Sequence, residues 1–519
     1  MNMVGSSTFL LSLMSTVASL PFFLFTPPAG VLADMVNRRK LLCFINLWLA
    51  AAAGLLSILS SFHLVNPYVL LLCVFLIGTG FAFHSSAWSA IVPDVVTDKE
   101  LPSAATLGGL QLNVSGIIGP ALGGILLYFF GANWVFALNA LCFGVVIFAL
   151  LQWKSVKGES EFPLESFVES FANAIRYVRY APGIQVVLAR NILFAFFISV
   201  IPALMPVVGL KELHLQPCSL GLLFTSMGAG SVFGAVFVLP WARQRLSSNA
   251  STVFANLLVA VVYLLMAFVR QPPIFMIVAA LAGIGWTLGA SELWVAGQRA
   301  IPGWARGRLS AIVIMVSQGG ISLGGVVWGF LSQAAGVNII LVIAGITLAL
   351  SLRLAARLSI DFTTSLSFDP PPISCVMNPL VYNPQPRDGP VAITFEFEVD
   401  RLHSREFLRL MREVRLIHLR NGAFGWRLDE DLTRFDTYRV ELMVPSWKGY
   451  LLQRQRLTQA EQEIIKKVWR LHIGEQIPLE HYYLSVNREL EAQHMVEEHS
   501  SSTPTIPLDS DAPEVPRTS

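Results

Sequence analysis

Between Met1 and Ile360 acidic side chains are few, so each can be weighed singly. Glu292 stands inside an apolar run, preceded by Gly289, Ala290 and Ser291. An ionisable group in such a run marks a functional site by default, because charge within a membrane is costly. Small neighbours leave the carboxyl room to face a cavity, where it could exchange a proton. His84 sits near the matching depth of the first half and is the second candidate for proton coupling. Each has a plainer reading: Glu292 as a helix-end acid reaching water or pairing with Arg299, His84 as a neutral packing imidazole. A second group of charges, Asp34, Arg38 and Arg39, follows Gly30 at the end of the first apolar run. Asp94 closes a later run on the same side, where it could pair with Arg38. Gln111, Asn113, Asn139 and Gln318 could line a polar cavity or join helices by hydrogen bonds. The five cysteines (Cys43, Cys73, Cys142, Cys218, Cys375) show no metal-binding spacing, so no metal and no cofactor is expected.

The elements that position these groups follow from composition. Charged residues are 13% of the 519, against about 25% in soluble domains. The deficit is local. Residues 1–360 hold 18 Lys/Arg and 10 Asp/Glu; the remainder holds 18 and 24. Nothing in that balance points to nucleic acid. Eleven apolar runs fill the first part, at 9–33, 41–62, 68–91, 104–130, 134–153, 192–210, 220–239, 253–269, 274–297, 309–334 and 339–358. About 20 apolar residues cross a bilayer as a helix. Basic residues fix the orientation: one set of alternate loops holds sixteen Lys/Arg, the opposite set only Lys211 and Arg270. The first set is cytoplasmic by the positive-inside rule. An inner-membrane, multi-pass protein with its C-terminus in the cytosol is the expectation.

The runs repeat. Gly30 is echoed by Gly234, Gly131 and Asn133 by Gly336 and Asn338, at offsets of 204 to 205. Parallel halves related by an axis along the membrane normal are a known transporter plan. The expected domains are a helix bundle at 1–153, a cytoplasmic linker at 154–191, a second bundle at 192–360, a linker at 361–387, a soluble domain at 388–492 and a disordered tail at 493–519. In the first linker Phe167, Phe171, Ile175 and Val178 share a helix face, as in an interfacial amphipathic helix. The soluble domain reads as βαββαβ, with a capping box from Thr458 to Glu461, which is the ferredoxin-like α+β pattern. His403, His418, His472, Trp426 and Trp447 there suggest a pocket, with core packing or dimerisation the weightier reading.

The stretch Gly30, Leu32, Ala33, Asp34, Arg38 and Arg39 closely resembles the signature loop after the second helix of the major facilitator superfamily. The resemblance implies that Gly30 permits close helix approach and that Asp34 faces a helix start in the other half. Met35 and Asn37 depart from the pattern, and Val238 stands where the second half would repeat Asp34. Gly119, Pro120, Gly123 and Gly124 resemble the family's antiporter motif, in which small residues allow tight packing. Ser115 replaces a glycine there. Pro93 with Asp94, and Ile301 through Ser310, are similar to the branch of enterobactin exporters and transmembrane secretion effectors. In that branch an antibiotic-biosynthesis-monooxygenase-like domain follows twelve helices. The family has one more helix ahead of this chain's first run, so eleven spans and a missing first family helix are expected.

The resemblance implies a non-enzymatic, proton-coupled exporter of a small siderophore-like or drug-like molecule, working by alternating access between bilayer-embedded halves. The alternative is a membrane-tethered enzyme or sensor acting through the C-terminal domain. Dimerisation through that domain is kept open.

Overall fold

The computed structural model describes residues 8–95, 115, 119, 122–123, 125–127, 129–152, 167–302, 306–360, 382, 384–474, 478 and 480–485, with some side chains within these, Asp34 and Asp94 among them, not described. The chain divides into two units, Met1–Phe368 and Asp369–Ser519.

The first unit is helical. Its first half holds α1 (Thr8–Met35), α2 (Arg38–Ser61), α3 (Pro67–Val95) and α4 (Ala132–Gln152). The described residues among 115–130 are also helical. Then come α5 (Phe167–Tyr180), α6 (Pro182–Ile198), α7 (Val200–Val207), α8 (Pro217–Phe233), α9 (Leu239–Arg245), α10 (Ser248–Phe268), α11 (Pro272–Arg299), α12 (Arg306–Ala335) and α13 (Val337–Arg357). Wider π-helical turns, Val208–Glu212 and Gly234–Val238, continue α7 and join α8 to α9. Among the described residues eight helical segments are long and apolar enough to cross a membrane. The apolar run at 104–130 lies mostly outside the described residues.

Two punctuation marks set the repeat. Gly131 and Gly336 take left-handed φ values of 83° and 87°, and each opens the next helix, α4 or α13. Glycine is the residue that adopts this conformation without steric cost. The packing repeats as well. In the first half α1 packs on α3, and α2 on α3 and α4; in the second α8 packs on α11, and α10 on α11 and α13. The halves meet along α1 and α12.

The second bundle has a continuous core. Tyr263, fully buried, donates its hydroxyl to the Phe197 carbonyl at 2.7 Å, and Trp328 Nε1 donates to the Phe196 carbonyl at 3.0 Å. Both bonds satisfy groups that would otherwise be stranded in an apolar interior. Arg190, one of the sixteen basic residues that the sequence assigns to the cytoplasmic loops, is instead buried inside α6. It donates to Asn249, to Thr252 Oγ1 at 2.6 Å and to the Leu358 carbonyl at 3.2 Å. Among the described side chains of α5, Ala174 and Tyr177 are buried and Ile175 is exposed.

The second unit is a four-stranded antiparallel sheet of order β2-β3-β1-β4, from β1 (Val391–Glu398), β2 (Gly425–Glu430), β3 (Thr437–Val444) and β4 (Glu480–Leu484). The helices are α14 (Ser404–Asn421), α15 (Trp447–Arg456) and α16 (Gln459–Trp469). The order is that of the ferredoxin-like split pattern, with α15 inserted after β3. Ser446 caps α15 by accepting from Gly449 N at 3.1 Å, and Trp447 and Tyr450 bury against the sheet. The capping box on α16 is complete: Thr458 Oγ1 accepts from Glu461 N, and Glu461 Oε2 from Thr458 N.

Candidate functional site

The charged loop between α1 and α2 is built by two helix ends. Asn37 accepts from Lys40 N at 3.2 Å, satisfying a donor that the start of α2 leaves open. Arg39 then reaches across to the C-terminus of α4. Its Nε donates to the Leu150 carbonyl at 2.8 Å, and its Nη2 donates to the Leu151 carbonyl. A helix C-terminus carries open carbonyls and partial negative charge, so a guanidinium there stabilises it. Arg39 thereby braces α2 to α4. Asp34 and Asp94 lie in the last turns of α1 and α3. The expected meeting of Asp94 with Arg38 involves a side chain outside the described set.

Among the described residues nothing lies within 4 Å of the position a Cβ on Gly30 would take. The same is true of Gly119 and Gly123, while Pro120 and Gly124 of the antiporter-like motif lie outside the described residues. Close approach occurs elsewhere. A Cβ on Gly230 would collide with the Ala280 backbone, and one on Gly283 with the Met227 carbonyl, so α8 and α11 touch backbone to backbone.

Glu292 is 2% exposed, yet its partner is not Arg299. Arg243 Nε donates to Glu292 Oε1 at 2.7 Å, joining α9 to α11. Arg243 lies 205 residues after Arg38, so the repeat offset is the signal that would have found it. His84 is half-buried and stacks on Trp88 at 6.2 Å with planes 11° apart, and Phe81 meets it edge-on. Among the described residues His84 and Glu292 are not brought together.

The seam between the halves holds a polar track that sequence reasoning missed. Ser12, Thr16 and Ser19 are all buried, at helical spacing on one face of α1. Thr16 Oγ1 donates to the Ser322 carbonyl on α12 at 3.0 Å. On α12, Gly319 and Gly325 face Phe23 and Thr16 of α1, whereas Gly320 and Gly324 face Ala195 and Ser199 of its own half.

Two repeated bundles meeting along one helix from each half, each half bearing an arginine brace near the ends of its helices, are the architecture of the major facilitator fold. The crystal structure of a POT family transporter in complex with 5-aminolevulinic acid shares that fold, with a TM-score of 0.58 at 14% identity, covering 69% of this chain and 89% of that one. The chain belongs to the transmembrane secretion effector family, whose pattern matches residues 1–490. Macrolide efflux protein A of Streptococcus pyogenes is 24% identical over 236 residues, 45% of this chain and 58% of that protein. The enterobactin exporter EntS of Citrobacter koseri is 26% identical over 298 residues, 56% of this chain and 68% of that protein. The match thus spans less than two thirds of the macrolide efflux protein. The chain is a multi-pass membrane protein.

Proposed function

We propose that this protein exports a small organic molecule across the inner membrane by alternating access, driven by inward proton flow. The observation that carries the reading is the repeated packing of two helix bundles about the α1–α12 seam. Such halves can rock about a central site, opening it to one side and then the other. Relatives whose names describe efflux of macrolides and export of enterobactin support the outward direction. The excess of Lys/Arg in one set of loops supports a cytosolic side for the α1–α2 turn, Arg243 and the C-terminal unit.

In this reading Glu292 is the coupling group. Ionised, it holds Arg243 and ties α9 to α11. A proton on the carboxyl removes the charge and weakens the tie, favouring the other access state. Asp34, Arg38 and Asp94 serve as the first half's switch. The test is efflux of a fluorescent cation such as ethidium from cells lacking their own pumps. Expression of this chain should lower accumulation, and a protonophore should restore it. Accumulation equal to that of the empty-vector control would overturn the reading.

A further inference from the structure

The second unit encloses a cavity of about 540 Å³ between its sheet and α14, α15 and α16. That is room for a drug-sized molecule. Phe395, Phe397, Trp426 and Trp469 supply flat apolar walls. His418 stacks on Trp426, ring centres 5.4 Å apart and planes 21° apart, so one wall is already a planar platform.

The hydrogen bonds at that platform fix the histidine tautomer. Gln453 Nε2 donates to the His418 carbonyl at 2.9 Å, which identifies the nitrogen end of the amide. The same nitrogen lies 3.3 Å from His418 Nδ1. An amide nitrogen only donates, so Nδ1 accepts and the ring proton sits on Nε2. Among the described residues no group accepts from Nε2. Charges around the cavity are matched. Glu480 pairs with Arg454 at 3.3 Å and accepts from Tyr450 at 3.0 Å, and Lys466 pairs with Glu463 at 3.2 Å. An ionic ligand would find no unmatched partner, and its desolvation would be uncompensated.

We infer that this cavity is a binding site for an uncharged, flat aromatic molecule that presents one hydrogen-bond acceptor, such as a ketone oxygen, to His418 Nε2. Burial holds the His418 imidazole down at about 4, so the donor tautomer persists at neutral pH. The site is independent of the transport reading.

The probe is benzophenone, a two-ring ketone that cross-links to nearby C–H bonds on irradiation. Full-length protein in lipid nanodiscs would be titrated, irradiated and mapped by peptide mass spectrometry. The expected result is saturable labelling on the cavity side of α14, at Met411 or its neighbours, displaced by xanthone. His418→Phe keeps the ring and should raise the half-saturating concentration about tenfold, the effect of one lost hydrogen bond. Val414→Trp fills the space and should abolish saturable labelling. Labelling confined to membrane-spanning helices, or rising without saturation at Met411, would overturn the site, as would His418→Phe or folded Val414→Trp protein that labels like the parent.

Discussion

Gly131 and Gly336 stand 205 residues apart, share a left-handed backbone and each donate their amide N–H to a carbonyl four residues back, Leu127 in one half and Ser332 in the other. The two halves are therefore punctuated alike, and differences between them become informative. The second half spends its brace on a buried acid, whereas Arg39 spends its own on helix carbonyls.

From the Arg243–Glu292 pair, Glu292→Gln should leave membrane insertion intact and remove the dependence of efflux on a pH gradient in everted vesicles. The exchange Arg243→Glu with Glu292→Arg should recover folding but not coupling. Unchanged efflux with an unchanged pH profile in Glu292→Gln would reduce the pair to a helix brace.

The motif loop gives a second expectation. If Asp34 belongs to the proposed switch, Asp34→Asn should impair transport at equal expression, because it removes the carboxylate's charge. Wild-type ethidium efflux by this variant would remove Asp34 from the switch.

Glycine substitutions separate space from signature. Gly283→Ala should lower thermal stability, because its Cβ would meet the Met227 carbonyl, and relieving such overpacking costs about 1–3 kcal/mol. Gly30→Ala meets no atom of the described residues and should leave the melting temperature unchanged. Equal losses in the two, measured on purified protein, would contradict the packing described for α8 and α11.

The His418 imidazole sets a pH dependence in the second unit. Its folded value of about 4 lies below the ordinary 6.5. The unfolded chain thus takes up a proton that the folded one refuses. Stability is unaffected above about pH 6.5 and falls as the pH drops toward about 4, by roughly 3 kcal/mol in all. Amide exchange of β3 in the full chain should accelerate across that window, and His418→Phe should flatten the response.

Orientation can be read with thiols. On a cysteine-free background, Gln271→Cys should react with an impermeant maleimide in intact cells, and Glu413→Cys only after lysis. Both side chains are exposed. Labelling of Glu413→Cys in sealed cells would invert the topology.

Much of this was legible along the chain because its causes are local. Apolar run lengths, the strand alternation of Ile393, Phe395 and Phe397 in β1 and the Thr458 capping box are all set by neighbouring residues. What escaped is held through space. Arg190 reads as a loop charge until Asn249, Thr252 and Leu358 surround it. Glu292 finds Arg243, 49 residues earlier, rather than the nearby Arg299. The α15 helix is short, with Gly449 in its first turn, and shows no periodic pattern; burial of Trp447 and Tyr450 decides it. In the Gly30 loop the family signature survives, although no described neighbour presses on the glycine.

Helix α12 presents one glycine edge to each half, Gly319 and Gly325 on one side, Gly320 and Gly324 on the other. Surfaces without side chains have no rotamers to unlock when they shift. A helix smooth on both flanks can act as a bearing, letting each half tilt against it in small steps. The resistance to motion then resides in the few polar ties across it, Thr16 to Ser322 foremost, rather than in interlocked knobs. Filling one edge should seize one movement and spare the other, so the two edges offer separate handles on the same conformational cycle.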